Sequence, residues 1–563
     1  MAGAPTRSLI TRIRRKINPV RTLISAMAGL AGSLAYFDFP LAGIGWVWPF
    51  LLLLCCSGRL GEAFRSGWTA GTAFFGASLY WLWNNPYPQG AIPGWMILSL
   101  YAGLYPAVWT WLCAFAWREV AGLTGPRSGH SYLLGFSRWP GYPRRLLWAM
   151  FCSCAWVSLE WLRSVMITGF PWNLLGISQS SMPVVSQLAQ WGGVPLVSLT
   201  VCLSSLVLGL AGLQVIRSAG APGAGIRESA PVLVIAGFLL VLQTATRSQP
   251  AERTLRIAAI QPGFTQSEIW NASGELRDRM WQKLLDLTRQ ALESDPAPEL
   301  VLWPEGAAPV LGQPELELVS QMAADSSTPF AICLETRDVD PDNPEEFRYF
   351  NSAMFIDAEG KWTDENGNWY CLYSKQHLVP FGEFIPLESV FPWLARLIPI
   401  GSFSRGDGPG TFYWKDKDVH LAFCICFEDS VSGLIRRSTT EQTQIILNMT
   451  NDAWFGKGSA QVLHARHALF RSIELGIPMV RATNNGLTCW TSPKGVIHGR
   501  GFEKFPQNSV HDAGFKIFNV PVRSPDVTFY RKHGNLVNPI CLVLSLVLLM
   551  SILFSRKMLA ARG

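Results

Sequence analysis

Three short stretches of this 563-residue chain carry side chains that could make and break a bond. In Trp303-Pro304-Glu305 a carboxylate stands just past the apolar run Leu300–Trp303. Burial at a sheet rim would favour its neutral form and make it a usable base. In Tyr373-Ser374-Lys375-Gln376-His377-Leu378-Val379-Pro380-Phe381-Gly382-Glu383 a lysine precedes a Pro-Phe-Gly turn that ends on a second carboxylate. In Phe423-Cys424-Ile425-Cys426-Phe427-Glu428-Asp429 a thiol ends an apolar run, and strand alternation would put Cys424 and Cys426 on one face. Singly, each has an ordinary structural reading: a Glu after Pro, a solvated Lys, a buried Cys. In order, Glu305, Lys375 and Cys426 form a complete set for acyl transfer. The thiolate attacks an acyl carbonyl, the Glu takes the thiol proton and returns it to the leaving group, and the Lys stabilises the oxyanion. No histidine is needed as base, and His377 reads as a structural neighbour of Lys375.

Such residues need rigid strand ends to hold them. Residues 255–261, 300–303, 330–334, 352–356, 419–426 and 445–449 read as strands, and 275–294 and 460–476 as helices. Strands alternating with helices give an α/β domain. Asp357-Ala-Glu-Gly-Lys361 and Asn366-Gly367 are turn signals within it. Of the 12 cysteines, seven lie in apolar runs and serve as small hydrophobes. Five fall in the polar region (Cys333, Cys371, Cys424, Cys426, Cys489), an odd number that leaves at least one thiol unpaired. No metal-ligand spacing and no nucleotide motif occurs, so no cofactor is expected.

The rest of the chain belongs to a different solvent. Only 15% of residues are charged, against about 25% in ordinary soluble domains. Residues 1–250 carry 17 Lys and Arg against 5 Asp and Glu, residues 251–531 carry 26 against 35, and residues 532–563 carry 4 and none. The excess of basic over acidic residues is confined to the apolar parts, which disfavours a nucleic-acid binder. Eight candidate spans lie at 23–38, 41–57, 67–83, 94–117, 146–162, 193–214, 230–246 and 536–555, the first two short and close together. Across the short loops they define, 18 Lys and Arg fall on one side and one, Arg163, on the other. The positive-inside rule then puts both termini in the cytoplasm and the α/β domain outside. The expected division is a transmembrane domain 1–249, an outer catalytic domain 250–525, and a last helix with a cytoplasmic tail, 526–563. Intramembrane charge is sparse (Glu160, near Arg163), which counts against a transporter. The apolar 163–192 loop, with Thr168-Gly-Phe-Pro-Trp-Asn173, reads either as packing under the outer domain or as a lipid contact.

Trp-Pro-Glu305, Lys375-x-His-Leu-Val-Pro-Phe-Gly-Glu383 and Ile-Cys426-x-Glu428, in that order, resemble the nitrilase (carbon–nitrogen hydrolase) superfamily. Between membrane spans, the set resembles the bacterial apolipoprotein N-acyltransferases. Gln261-Pro-Gly-Phe-Thr-Gln-Ser-Glu-Ile-Trp270, Thr450-Asn-Asp-Ala-Trp454-Phe-Gly, Arg481-Ala-Thr-Asn-Asn-Gly486 and Gly169-Phe-Pro-Trp172 match as well. The resemblance implies an α-β-β-α sandwich and a ping-pong enzyme of the bacterial inner membrane with its catalytic domain in the periplasm. Cys426 would take an acyl chain from a phospholipid, phosphatidylethanolamine being the expected donor, and pass it to the α-amine of a diacylglyceryl-cysteine apolipoprotein. It also implies Glu305 as base, Lys375 as oxyanion stabiliser, Glu383 and Glu428 as supports, and Trp270 and Trp454 at the lipid entrance. Where that family usually has Tyr after the nucleophile, this chain has Phe427, so no hydroxyl role carries over. The apolar, proline-broken run 390–400, with Trp393, is expected to act as a lid at the bilayer surface. The alternative from the same triad is a membrane-anchored amidase that uses water.

Overall fold

The computed structural model describes residues 18–560 apart from 38–40, 58, 122–132, 134–138, 219–221, 246–251, 309–311, 342, 364–369, 387, 389, 391, 394–400, 500–509 and 525–526. The expected Asn366-Gly367 turn and most of the 390–400 run lie outside the described residues.

Helices account for the apolar parts: α1 (Pro19–Ser33), α2 (Trp48–Cys55), α3 (Leu60–Ser78), α4 (Pro88–Val120), α5 (Tyr142–Val165), α6 (Ala189–Arg217) and α7 (Pro222–Ala245). Among the described residues, three helices are long and apolar enough to cross a membrane: α4, α6 and the last helix, within Val537–Phe554. The expected span 41–57 is not one helix. It is a single turn, Ala42–Gly45, then the eight-residue α2, and eight residues reach only about 12 Å against a hydrocarbon core of about 30 Å. At Gly192-Gly193, where α6 breaks, Gly193 sits at φ 68°, and a Cβ there would stand 2.6 Å from the Tyr530 ring.

Two six-stranded sheets form the remaining domain. Its strands are β1 (Arg253–Gln261), β2 (Leu300–Leu302), β3 (Phe330–Val339), β4 (Phe347–Ile356), β5 (Leu372–Ser374), β6 (Thr411–Trp414), β7 (Val419–Ile425), β8 (Ile445–Thr450), β9 (Met479–Thr483), β10 (Cys489–Thr491), β11 (Ile497–His498) and β12 (Gly514–Val522). The orders are β12-β1-β2-β3-β4-β5 and β11-β10-β9-β8-β7-β6, with β1-β2-β3 parallel in one and β7-β8-β9 parallel in the other. Alternation along β1 sets the layers. Leu255, Ile257 and Ala259 meet Leu421, Phe423 and Leu447 between the sheets, whereas Ala258 and Ile260 face α8 (Gly274–Leu292) and α9 (Gln313–Ser326). On the other side α10 (Ala460–Leu475) covers the second sheet through Ala468 and Leu475. The result is an α-β-β-α sandwich. Helix α8 buries one stripe and is otherwise charged, but nearly every residue of α10 is buried. Its second face, with Leu463, Leu469, Phe470 and Ile473, packs into the core of the helical part. Helix α11 (Val537–Ala560) closes the chain.

Candidate active site

Glu305, Cys426 and Asn451 each follow the carboxyl end of a parallel strand, β2, β7 and β8, where open sheets leave a crevice for ligands. Trp303, fully buried, anchors the turn before Glu305 by donating its indole N–H to Thr288 Oγ1 of α8 at 3.1 Å. Lys375 follows β5 directly, is 1% exposed, and donates Nζ–H to Glu383 Oε1 at 2.7 Å and Glu305 Oε1 at 3.2 Å. Asn351 of β4 lies across the same two carboxylates, donating Nδ2–H to Glu305 Oε1 at 2.6 Å and Glu383 Oε1 at 3.1 Å. The backbone N–H of Asn451 donates to Glu305 Oε2 at 2.9 Å, and that of Val379 to Glu383 Oε2 at 2.8 Å. Burial alone would favour a neutral Lys375 amine, but Glu305 and Glu383 outweigh it and hold the ammonium well above its ordinary range. The site therefore keeps a fixed cation.

The thiol has the opposite character. Burial pushes Cys426 well above the ordinary cysteine value and Glu305 adds to this, while Lys375 opposes it. The resting group is a thiol that needs a base. The expected sharing of one face by Cys424 and Cys426 is corrected here. Cys424 faces the outer layer and receives a hydrogen bond from Asn448 Nδ2 at 3.0 Å, whereas Cys426 packs with the inter-sheet core. The strand ends at Ile425, and Cys426 turns to φ 50° at the start of the tight turn Cys426–Ser430. A non-glycine residue held there marks a functional or strained position. Glu428, fully buried, fixes that turn. Its Oε2 accepts from Ile425 N (2.8 Å) and Tyr373 OH (2.8 Å), and its Oε1 from Gln376 N (2.7 Å) and His377 N (3.1 Å). Glu428 thus ties the Cys426 turn to the Lys375 loop. His377 is neutral, pushed down to about 4 by burial and by the Lys375 charge, and its ring stacks on Phe427 at 6.0 Å.

Sequence reasoning missed the polar frame under the turn. Arg481 donates to Asp429 Oδ2 at 2.6 Å and to Asp452 Oδ2 at 2.8 Å, and His464 lies between the same two aspartates at 2.7–2.8 Å, all fully buried. Asn351 and Asn451 were missed too: in one sequence, an Asn in a strand and an Asn at a strand end look like turn or edge residues. Trp270 and Trp454 do come together, edge to face at 5.3 Å, with Trp270 47% exposed. Asn451 Nδ2 donates to Gln266 Oε1 at 3.0 Å and so joins the Trp270 turn to the Glu305 side. Trp393 is exposed. In the 163–192 loop Trp172, 1% exposed, packs inward and stacks on Phe427 at 5.7 Å, whereas Met166, Ile167 and Trp191 are exposed.

With this layering, the match of residues 256–506 to the carbon–nitrogen hydrolase family model defines an α/β domain of the nitrilase type. Residues 28–207 match the model of the apolipoprotein N-acyltransferase N-terminal domain. Proteins named apolipoprotein N-acyltransferase align along most of the chain. That of Pseudomonas putida is 30% identical over 503 residues, covering 84% of this chain and 87% of the relative. That of Geobacter metallireducens is 29% identical over 554 residues, covering 94% and 95%. The chain belongs to the apolipoprotein N-acyltransferase family. Solved structures similar to the α/β domain include an amidase from Nesterenkonia sp. (16% identity, 51% of this chain and 96% of that one, TM-score 0.32). Another is Nit3 of Saccharomyces cerevisiae, titled a member of branch 10 of the nitrilase superfamily (12% identity, 49% and 94%, TM-score 0.34).

Proposed function

We propose that this protein transfers an acyl chain from a membrane phospholipid to the N-terminal α-amine of a diacylglyceryl-cysteine apolipoprotein, by way of a thioester on Cys426. The observation that carries the chemistry is the buried Lys375 ammonium, bonded to Glu305 and Glu383 beside the Cys426 turn. In the first half-reaction Glu305 takes the Sγ proton and the sulfur attacks the ester carbonyl of the phospholipid. Lys375 faces the oxyanion. The bond from the carbonyl carbon to the glycerol oxygen breaks, Glu305 returns the proton to that oxygen, and a lysophospholipid leaves. In the second, the neutral amine attacks the thioester, Glu305 takes one amine proton, the C–S bond breaks, and the sulfur regains a proton as the amide forms. Glu383 holds Lys375 charged, and Glu428 holds the two loops in register.

Packing of α10 into the helical core supports lipid substrates, because it sets the crevice next to apolar helices. The division at 249 and 525, the inner-membrane location with a periplasmic catalytic domain, phosphatidylethanolamine as donor, and lipid-entrance roles for Trp270, Trp454 and Trp393 belong to the same proposal. The test is mass spectrometry of the purified chain mixed with phosphatidylethanolamine, beside Cys426→Ala. An acyl-sized mass gain is expected on the native chain alone, removed by hydroxylamine and discharged by a diacylated lipopeptide. Discharge by water at the same rate with or without lipopeptide would favour an amidase-like hydrolase. A folded native chain with no adduct would refute the proposal.

A further inference from the structure

The helical part contributes more than an anchor. After α5, the chain runs through Ile167 (φ 50°), Thr168 (φ 72°), Gly169 (φ 86°) and Asn173 (φ 54°). β-Branched residues in the left-handed region persist only where their surroundings over-determine them. Here the surroundings are side chains of the helical part. Arg163, 3% exposed, donates from Nη1 to the carbonyls of Phe170 (2.9 Å) and Trp172 (2.6 Å). Glu160 Oε1 accepts from Leu175 N at 2.6 Å, Asn173 Nδ2 donates to Ser78 Oγ at 2.7 Å, and Tyr36 OH donates to the Leu174 carbonyl at 3.1 Å. Two charged groups from one helix are thus spent on the backbone of a single loop. What that loop delivers is the Trp172 ring. It stacks on Phe427 at 5.7 Å and 17° and on His467 of α10 at 4.8 Å and 21°. Phe427 immediately follows Cys426, and it packs against both the core of the helical part and the core between the sheets. The phenyl ring stacks with two rings, Trp172 and His377.

We infer that Trp172, braced by Arg163 and Glu160, is a positioning residue for the nucleophile: through the Phe427 ring it sets the Cys426 turn against Glu305 and Lys375. The inference rests on the acyl-transfer reading for its substrate, but not for its geometry. It also gives Phe427 a role that needs no hydroxyl.

The test uses the full chain in detergent, as native protein, Trp172→Ala, Trp172→Phe, Phe427→Ala and the Trp172→Ala/Phe427→Ala double variant. The rate of thioester formation from phosphatidylethanolamine is read at varied lipid concentration, and thermal midpoints are measured alongside. Trp172→Ala is expected to lower kcat about tenfold, the scale of a lost aromatic pair, and to leave KM unchanged. Trp172→Phe should recover most of the rate. The double variant should be no slower than the slower single one, since both act through one contact. An unchanged kcat in Trp172→Ala, a loss confined to KM, or losses that multiply in the double variant would overturn the inference. If Trp172→Ala does not fold, Trp172→Phe is compared with Trp172→Leu; equal rates would overturn it, and a rate kept by Phe and lost by Leu would support it. Should the native chain form no thioester, the acyl-transfer reading fails, and iodoacetamide labelling of Cys426, which needs no lipid, still decides the positioning. Rates altered alike in both single variants and the double variant support it; rates equal to native overturn it.

Discussion

Replacing Lys375 by Met keeps an unbranched side chain, one atom shorter, and removes both the charge and its hydrogen bonds to Glu305 and Glu383. Nζ is bonded to Glu383 Oε1 at 2.7 Å and Glu305 Oε1 at 3.2 Å, and it is 1% exposed. The two carboxylate oxygens are therefore at most about 6 Å apart, and at an effective dielectric of about 20 their repulsion is about 3 kcal/mol. In the native chain the ammonium screens it. Without the ammonium, breaking the buried pair costs on the order of 3–5 kcal/mol. Part of that cost is recovered if one proton binds between the two carboxylates. The folded variant then holds more protons than its unfolded chain from the carboxylate range upward. Stability must fall as pH rises through that window, because ∂ΔG/∂pH follows protons bound in the unfolded state less those bound in the folded state. The native protein should show no such loss there: its Lys375 is held above the ordinary lysine range, so its contribution is complete at neutral pH and is lost only in strong alkali. The assay is thermal unfolding in detergent at pH 5, 7 and 9 for native and Lys375→Met chains, together with thioester formation. The variant should melt lower at every pH, most of all at pH 9. Its thioester rate should drop at least about 10²–10³-fold from loss of oxyanion stabilisation alone. A variant that melts like the native chain at pH 9, or that acylates at the native rate, would refute the reasoning.

Four further outcomes can be measured. Glu305→Gln should lower thioester formation about 10²–10⁴-fold while raising iodoacetamide labelling of Cys426 at pH 8, because Glu305 is one of the groups that push the thiol up; labelling that falls with catalysis contradicts this. Arg481→Met leaves Asp429 and Asp452 buried with only His464 between them, and should cost on the order of 3–5 kcal/mol in unfolding experiments. Trp270→Ala removes one ring of the edge-to-face pair with Trp454 and should raise KM for phospholipid about 2–10-fold with the thermal midpoint kept; an unchanged KM removes Trp270 from the lipid path. Trp393→Ser, at a 55%-exposed position, should spare folding and slow the reaction on lipid vesicles, and equal rates would end the lid reading.

An α/β domain was legible from strands alternating with helices, and the α-β-β-α layering followed only from the resemblance; in the structure strand alternation sets those layers. Leu255, Ile257 and Ala259 point one way and Ala258 and Ile260 the other, whatever the rest of the chain does. Helix α10 was legible as a helix and no more. His464, Arg466, His467, Arg471 and Glu474 read as a solvated face in one dimension, and only the packed molecule shows that they are buried, with one face of the helix on the second sheet and the other on the helical part. The strands β5, β6, β10 and β11 escaped because two to four residues are too few to establish a period, and the longer β9 and β12 escaped as well.

The chemistry divides the same way. The residue types and order Glu305, Lys375, Cys426 come from the sequence alone, because an acyl-transfer set is recognisable by what its groups can do. So do the charge split between halves and the apolar segments, since each residue's preference for lipid or water is its own. Tertiary structure decided everything that depends on distance between remote segments. It put Glu383 and Glu305 on one ammonium, laid Asn351 across them, and hung the Cys426 turn on Glu428. It also turned Cys426 away from the face of Cys424, because a left-handed residue at a strand end breaks the two-residue period. It carried Trp172 across from the helical part to the Phe427 ring next to Cys426. Periodicity reports a residue's own burial, whereas a site is made by contacts between segments tens to hundreds of residues apart, and those exist only once the chain has closed on itself.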